Sequence, residues 1–166
     1  MEYRTNRLEV RPFRESDRDD MIPLLTDTQV AKTYMLPEFE TPDQAVPVFQ
    51  RLLNLSQTPD RYVAGICLDG RCIGFMNDVE KDDGRIEMGY AMLPAYWNRG
   101  YMTEAFAGAI EYLFGVGFKQ VIAGAFEENP ASMRVMVKCG MTLLEQVDQI
   151  EYRGKVHRCL YYGLCK

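Results

Sequence analysis

Apolar residues recur along the chain with two periods, and the change from one to the other marks out the elements. Met102, Ala105, Phe106, Ala109, Ile110, Leu113 and Phe114 follow the i, i+3, i+4, i+7 spacing of a helix with one buried face. Ala45, Val48, Phe49, Leu52 and Leu53 do the same behind Thr41-Pro42-Asp43-Gln44, which supplies a cap, a proline at N1 and a glutamine at N3. Ser16 with Asp19 predicts a start for a helix carrying Met21, Leu24 and Leu25, limited by Pro23, and Asp27 to Tyr34 adds a further helical turn or two. Asn129-Pro130-Ala131-Ser132 opens a short helix through Lys138, and Gly140 closes it.

Between these lie segments with the strand period. Leu8 to Pro12 alternates as a short edge strand. Tyr62 to Leu68 and Arg71 to Asp78 form a hairpin, because Asp69-Gly70 supplies the positive φ angles of a type I′ turn. Asp82-Asp83-Gly84 leads into a strand from Arg85 to Leu93. Gln120 to Phe126 is another strand, and Met141 to Val147 and Lys155 to Leu164 are two more around Arg153-Gly154. The order β-α-α-β-β-β-α-β-α-β-β predicts an α/β (α+β) fold. Its sheet would be mostly antiparallel, of about seven strands, flanked by about four helices, with one β-helix-β crossover in its middle. Ligands in such sheets favour the C-terminal ends of the crossover strands.

The stretch from Pro94 to Phe106 lies there. It joins a strand halted at Pro94 to the longest helix, so it is a helix N-terminus with unpartnered N–H groups and roughly half a positive charge. Gly100 allows a tight bend and close approach of a ligand to the backbone of residues 98 to 103, and Arg99 adds a full charge. An anion suits this end; a loop glycine and a solvated arginine ahead of a packed helix is the plainer alternative.

Composition narrows the classes. With 166 residues, 47% of them hydrophobic, the chain is long enough for one core, and residues 1–166 are expected to form a single domain. A net charge of -5 argues against a nucleic-acid-binding surface. The N-terminus lacks an apolar signal core and no stretch reaches the ~20 apolar residues of a membrane span, so a soluble cytoplasmic protein is expected. Five cysteines form no CxxC pair, and His157 has no second histidine for a metal site or a nucleophile-base pair, so no metal is expected. A homodimer is the default among symmetric assemblies.

Several blocks together resemble the GNAT acyl-CoA N-acyltransferase superfamily, and within it the branch of enzymes like the ribosomal-protein N-terminal acetyltransferases. They are Arg7-Leu8-Glu9-Val10-Arg11-Pro12-Phe13, Glu87-Met88-Gly89-Tyr90, Tyr96-Trp97-Asn98-Arg99-Gly100-Tyr101-Met102-Thr103-Glu104-Ala105, Asn129-Pro130-Ala131-Ser132, Lys138-Cys139-Gly140-Met141 and Tyr152-Arg153-Gly154-Lys155. Trp97 and Met102 occupy the first and last places of the superfamily's Gln/Arg-x-x-Gly-x-Gly/Ala pattern, where neither is usual.

The resemblance implies splayed central strands with the pantetheine arm of acetyl-CoA between them. Met92 and Leu93 would offer backbone groups to that arm, and the amides of Asn98, Arg99, Gly100, Tyr101, Met102 and Thr103 would hold the pyrophosphate. A Met102 side chain directed into the core would leave its amide free. Ser132 is implied as general acid for the leaving thiolate, with Asn129 contacting coenzyme A; the alternative is that both merely cap their helix. Glu87 and Glu151 are the base candidates, each equally readable as a solvated strand carboxylate. Tyr34 and Tyr90 are placed at the acceptor with Glu87. The activity implied is transfer of an acetyl group from acetyl-CoA to a primary amine in a ternary complex, the acceptor being a protein N-terminus or a small polyamine, amino sugar or amino acid. A noncatalytic acyl-CoA-binding module of the same fold is the opposing reading.

Overall fold

In the computed structural model, which describes residues 1–166, the strands are β1 (Tyr3–Arg4), β2 (Glu9–Arg11), β3 (Ala64–Leu68), β4 (Arg71–Asp82), β5 (Arg85–Met92), β6 (Gln120–Phe126), β7 (Thr142–Tyr152) and β8 (Lys155–Cys165). The α-helices are α1 (Arg18–Leu25), α2 (Val46–Ser56), α3 (Tyr101–Gly115) and α4 (Pro130–Lys138). The sheet runs β1-β2-β3-β4-β5-β6-β8-β7, and β5–β6 is its one parallel pair. The strand beyond the expected seven is β1, whose two residues are too few to carry a period. No helix is long and apolar enough to cross a membrane.

Turn chemistry sets the hairpins. Asp69 and Gly70 have φ of 50° and 83°, and Arg153 and Gly154 have 52° and 71°, the paired positive values of a tight antiparallel turn. Gly140 (φ 84°) ends α4 as a Schellman motif: Met141 N–H donates to Met136 O and Gly140 N–H to Val137 O.

Helix starts differ from expectation at two places. Ser16 caps nothing; a 3-10 turn over Glu15–Asp17 precedes α1, and the Asp17 carboxylate accepts from Arg14 N–H (2.7 Å). Thr41 makes no side-chain cap, and the Gln44 side chain instead accepts from Glu40 N–H (2.7 Å).

The two sheet faces are packed separately. Leu8, Val10, Met88, Met92, Met102, Phe106 and Val121 share one buried cluster under α3 and α4, while Phe13, Leu24, Phe49, Phe75 and Ala91 share another under α1 and α2. Successive residues of a strand face opposite ways, so β5 sends Met88, Tyr90 and Met92 to the first face and Glu87, Gly89 and Ala91 to the second.

The seam between β5 and β6 positions the site. Their pairing covers Arg85 to Glu87 against Gln120 to Ile122 and stops. Beyond that, β5 remains paired with β4 as far as Met92, and β6 with β8 as far as Phe126. Each strand therefore has a partner on its outer edge, and the central strands splay apart between them.

Candidate active site

The splay gives part of β5 a free backbone edge. Leu93 N–H donates to Ile73 O (2.9 Å), which fixes which residues of β5 bond toward β4. Antiparallel pairs alternate, so Ala91 and Gly89 bond to β4, while Tyr90 and Met92 aim their N–H and C=O groups into the seam. Trp97 Nε1–H takes the Met92 carbonyl at 2.6 Å, while the Met92 and Tyr90 N–H groups face the seam as donors. Leu93 corrects an expectation. Its N–H is held by Ile73, so only its carbonyl, which already accepts from Tyr96 N–H (3.0 Å), keeps a lone pair for a ligand.

Behind the seam lies the start of α3. Asn98 (φ 59°) and Gly100 (φ 78°) turn the chain sharply, and Gly100 precedes the helix with no side-chain cap. The N–H groups of residues 98 to 103 find no acceptor within the protein. Six outward amides at a helix N-terminus form a ready anion cradle. The Met102 side chain is buried in the core, so it does not crowd these amides. The Arg99 side chain is exposed, and its carbonyl accepts from Arg7 Nη1 (3.1 Å). Arg7, which carried no assigned role in the sequence, also stacks on the Tyr101 ring, its guanidinium carbon 4.4 Å from the centroid.

α4 borders the same space. The Asn129 side chain accepts from Ser132 N–H (3.2 Å) as the cap of α4. Ser132 Oγ lies 2.8 Å from the Tyr90 hydroxyl. Tyr90 therefore stands on the α3 and α4 side of β5, with its ring 4.9 Å from Phe106, and not beside Glu87 as expected for an acceptor contact; the strand's alternation puts the two on opposite faces. Burial pushes the Tyr90 phenol up, and the bond to Ser132 opposes that only in part.

In front of the seam, Glu87 faces Glu80 across a bulge at Val79. Burial raises the Glu87 carboxyl above its ordinary range; Glu80 and, more weakly, Asp148 raise it further, against the pull of Arg85. Tyr34 donates to Asn77 Oδ1 (2.6 Å) and sets its ring edge-on to Phe75. Gly89 leaves room for this pair, since a Cβ there would come within 3.3 Å of Asn77 Oδ1 and 3.5 Å of the Tyr34 ring. Burial pushes the Tyr34 phenol up as well. The Tyr152 hydroxyl clasps the segment that carries Tyr34, donating to Ala31 O (2.7 Å) and accepting from Leu36 N–H (3.2 Å).

Glu151 is exposed and does not line the cleft; its neighbour Ile150 does. A base at position 151 would need the opposite parity of β7, so of the two candidate carboxylates only Glu87 borders the cleft. Asn77 joins the site without having been singled out in the sequence, while Tyr161 lines the cleft and Tyr152 acts on it only through the segment that carries Tyr34.

One cleft of about 1010 Å³ passes through the splay and connects the two sides. Its lining includes Tyr34, Asn77, Glu87 and Tyr161 in front, and Asn98, Gly100, Thr103, Asn129 and Ser132 behind. No three His, Cys, Asp or Glu side chains gather where they would hold a metal ion.

Residues 7–142 match the acetyltransferase (GNAT) domain family. Over 157 residues the chain is 29% identical to the uncharacterized N-acetyltransferase YoaA of Bacillus subtilis (strain 168), covering 90% of this chain and 88% of that one. Among solved structures, a GNAT-family acetyltransferase from Bacillus anthracis superposes with a TM-score of 0.85 at 23% identity, over 99% of this chain and 98% of that one. The ribosomal L7/L12 α-N-protein acetyltransferase RimL, solved in complex with coenzyme A, superposes with a TM-score of 0.84 at 18% identity, over 97% and 95%.

Proposed function

Because this chain belongs to the GNAT acetyltransferase family and is an acetyl-CoA-dependent N-acetyltransferase, we propose that its acceptor is a protein N-terminal α-amine and that residues 1–166 work as one domain. The observation that carries the reading is the continuous cleft, with an anion cradle at one end and a half-buried carboxylate at the other. Donor and acceptor can meet in the splay from opposite faces of the sheet, so the amine attacks directly, without an acyl-enzyme.

In this reading the amides of residues 98 to 103 receive the coenzyme A pyrophosphate. Met92 N–H binds the thioester oxygen as it gains charge, a donor worth about 3 kcal/mol in the transition state. Glu87 takes the proton of the amine through a water. Ser132 gives its hydroxyl proton to the departing sulfur, and Asn129 acts on coenzyme A through the α4 cap that orients Ser132. Tyr34 and Asn77 shape the acceptor recess. Arg99 is secondary to the backbone around it.

Two features favour an α-amine. Its pKa of about 7.7–8.0 leaves part of it neutral at physiological pH, within reach of a carboxylate acting through water, whereas a lysine amine near about 10.4 needs a far stronger base. RimL is an α-N-protein acetyltransferase, and the shared fold makes α-amines the first class to test. A polyamine is the second reading, because Glu80, Glu87 and Asp148 together would hold an additional positive charge at the front of the cleft.

The test is thiol release from acetyl-CoA with a panel of peptides bearing free N-termini, polyamines, amino sugars and amino acids. Peptide α-amines should turn over fastest; a polyamine outrunning every peptide would overturn the preferred acceptor.

A further inference from the structure

Tyr90 is the one polar side chain that β5 sends to the α3 and α4 face, and its hydroxyl meets Ser132 twice. The phenol oxygen lies 2.8 Å from Ser132 Oγ and 3.2 Å from Ser132 O. A phenol has one proton and a carbonyl can only accept, so two arrangements are open. In one, Tyr90 donates to Ser132 O and the serine hydroxyl donates back to the phenol, which turns the serine proton away from the seam. In the other, Tyr90 donates to Ser132 Oγ, and the serine proton is free to turn into the cleft. Ser132 Oγ makes no other side-chain contact within hydrogen-bond range, so Tyr90 alone decides between them.

We propose that Tyr90 is the positioning residue that aims the Ser132 proton at the leaving sulfur by donating its own proton to Ser132 Oγ. This rests on the reading of Ser132 as general acid. Donation to Oγ also polarises the serine O–H and makes it a stronger donor to a third group. The ring is packed against Phe106, so the phenol is held in place, and its burial keeps it protonated and able to donate.

The step balances as follows. The amine lone pair forms the C–N bond and the carbonyl π pair moves to oxygen. On collapse the C–S bond breaks, its electron pair goes to sulfur, and the Ser132 proton follows. Ser132 regains a proton from solvent, while the amine loses one through water and Glu87 to solvent. The Tyr90 proton stays on Tyr90 throughout.

The test compares Tyr90→Phe, Ser132→Ala and the double variant on acetyl-CoA and on acetyl-seleno-CoA, whose selenolate departs without protonation, using the fastest peptide amine of the panel. Tyr90→Phe should lower kcat on acetyl-CoA by about tenfold with KM for acetyl-CoA within about twofold, and should change the seleno donor by less than about twofold. The double variant should be no slower than Ser132→Ala. If Ser132→Ala costs nothing on either donor, the acid assignment fails and this inference with it. If Ser132→Ala shows the donor dependence but Tyr90→Phe slows both donors alike, or adds to Ser132→Ala, only the inference is overturned. 4-Aminophenylalanine at position 90 keeps the ring packing and an N–H donor in place of the hydroxyl, so kcat on acetyl-CoA should stay within about threefold of wild type; a loss of about tenfold on both donors overturns the proposal even where Tyr90→Phe does not fold.

Discussion

Arg7 and Glu104 lie ninety-seven residues apart in the chain and meet at 2.6 Å, Nε to Oε2, directly beside the N-terminus of α3. The Glu104 carboxylate also accepts from Arg7 N–H (2.8 Å) and from Thr5 Oγ1 (2.6 Å), while the Arg7 guanidinium holds Arg99 O. The segment after β1 is thus a splint for the loop that would take the pyrophosphate, and an acidic residue in the first turn of a helix also suits its dipole.

Glu104→Ala should therefore cost about 1 kcal/mol of stability, since the pair is partly exposed, and should weaken acetyl-CoA binding several-fold by loosening the loop. Burial raises the Glu104 carboxyl, but the bonds from Thr5 and Arg7 outweigh it and set the group below its usual 4.5. A depressed carboxylate stabilises the fold above the unfolded pKa and loses that contribution as pH falls through the folded one. Urea unfolding of both proteins from pH 7 to pH 3 checks this: the gap between them should close below pH 4.5.

Gly100 and Arg99 should separate cleanly in a binding titration. A β-branched residue at Gly100 enters a left-handed conformation at φ 78°, costing about 1–2 kcal/mol, and sets its side chain against Arg7 Nη2, 3.5 Å from a Cβ there, which disturbs the loop that presents the amides, so Gly100→Val should weaken acetyl-CoA binding more than tenfold. Arg99→Ala removes only an exposed side chain and leaves its carbonyl in place, so a loss of about twofold to threefold is expected. Equal losses would contradict the primacy of the backbone.

Where period and turn chemistry act locally, the sequence was a sufficient guide. Asp69-Gly70 turns as its residue types favour, Gly154 turns the last hairpin with Arg153 carried to φ 52° beside it, and the spacing from Met102 to Phe114 is that of α3. The helix N-terminus at Gly100 followed from the same local logic. What was illegible depends on register. A strand's two faces differ by one residue, so Ile150 faces the cleft and Glu151 does not, and Tyr90 joins Ser132 while Glu87 joins Glu80. The bulge at Val79 shifts the facing pairs of β4 and β5, which no alternation count along one strand reveals. Asp17 illustrates the same limit in a helix start, because it also answers a partner outside its own element.

That partner is Arg11. Both side chains are almost wholly buried, and they pair by two parallel bonds of 2.8 and 2.9 Å. Removing one member of a buried pair leaves the other charge without compensation, so Asp17→Ala should cost about 3–5 kcal/mol in urea unfolding at neutral pH. Burial raises the Asp17 carboxyl, yet the bonds from Arg11 and Arg14 outweigh it and leave the group below its usual 3.8, so the stability it confers is held above that pH and lost below it. A cost under about 1 kcal/mol would mean that Arg11 finds another partner, for which Glu9 Oε2, 3.5 Å from Arg11 Nε, is the nearest carboxylate.

Glu87 should show the opposite linkage together with a catalytic loss. Its carboxyl is raised by burial and by Glu80, so the folded state holds this proton more tightly than the unfolded chain does. The charged form at neutral pH then works against the fold. Glu87→Gln should raise stability at pH 7, and that advantage should vanish as pH falls below the usual 4.5, where wild-type Glu87 is protonated in both states. The same ionisation governs the base. Activity of the wild type should fall on an acid limb lying above pH 4.5, because only the carboxylate can accept the amine's proton through water. In Glu87→Gln that limb should disappear and kcat/KM should drop by about a hundredfold. A stabilised variant that keeps its acid limb would place the base elsewhere, while a destabilised one would show that Glu80 and burial do not oppose the Glu87 charge as the geometry of β4 and β5 requires.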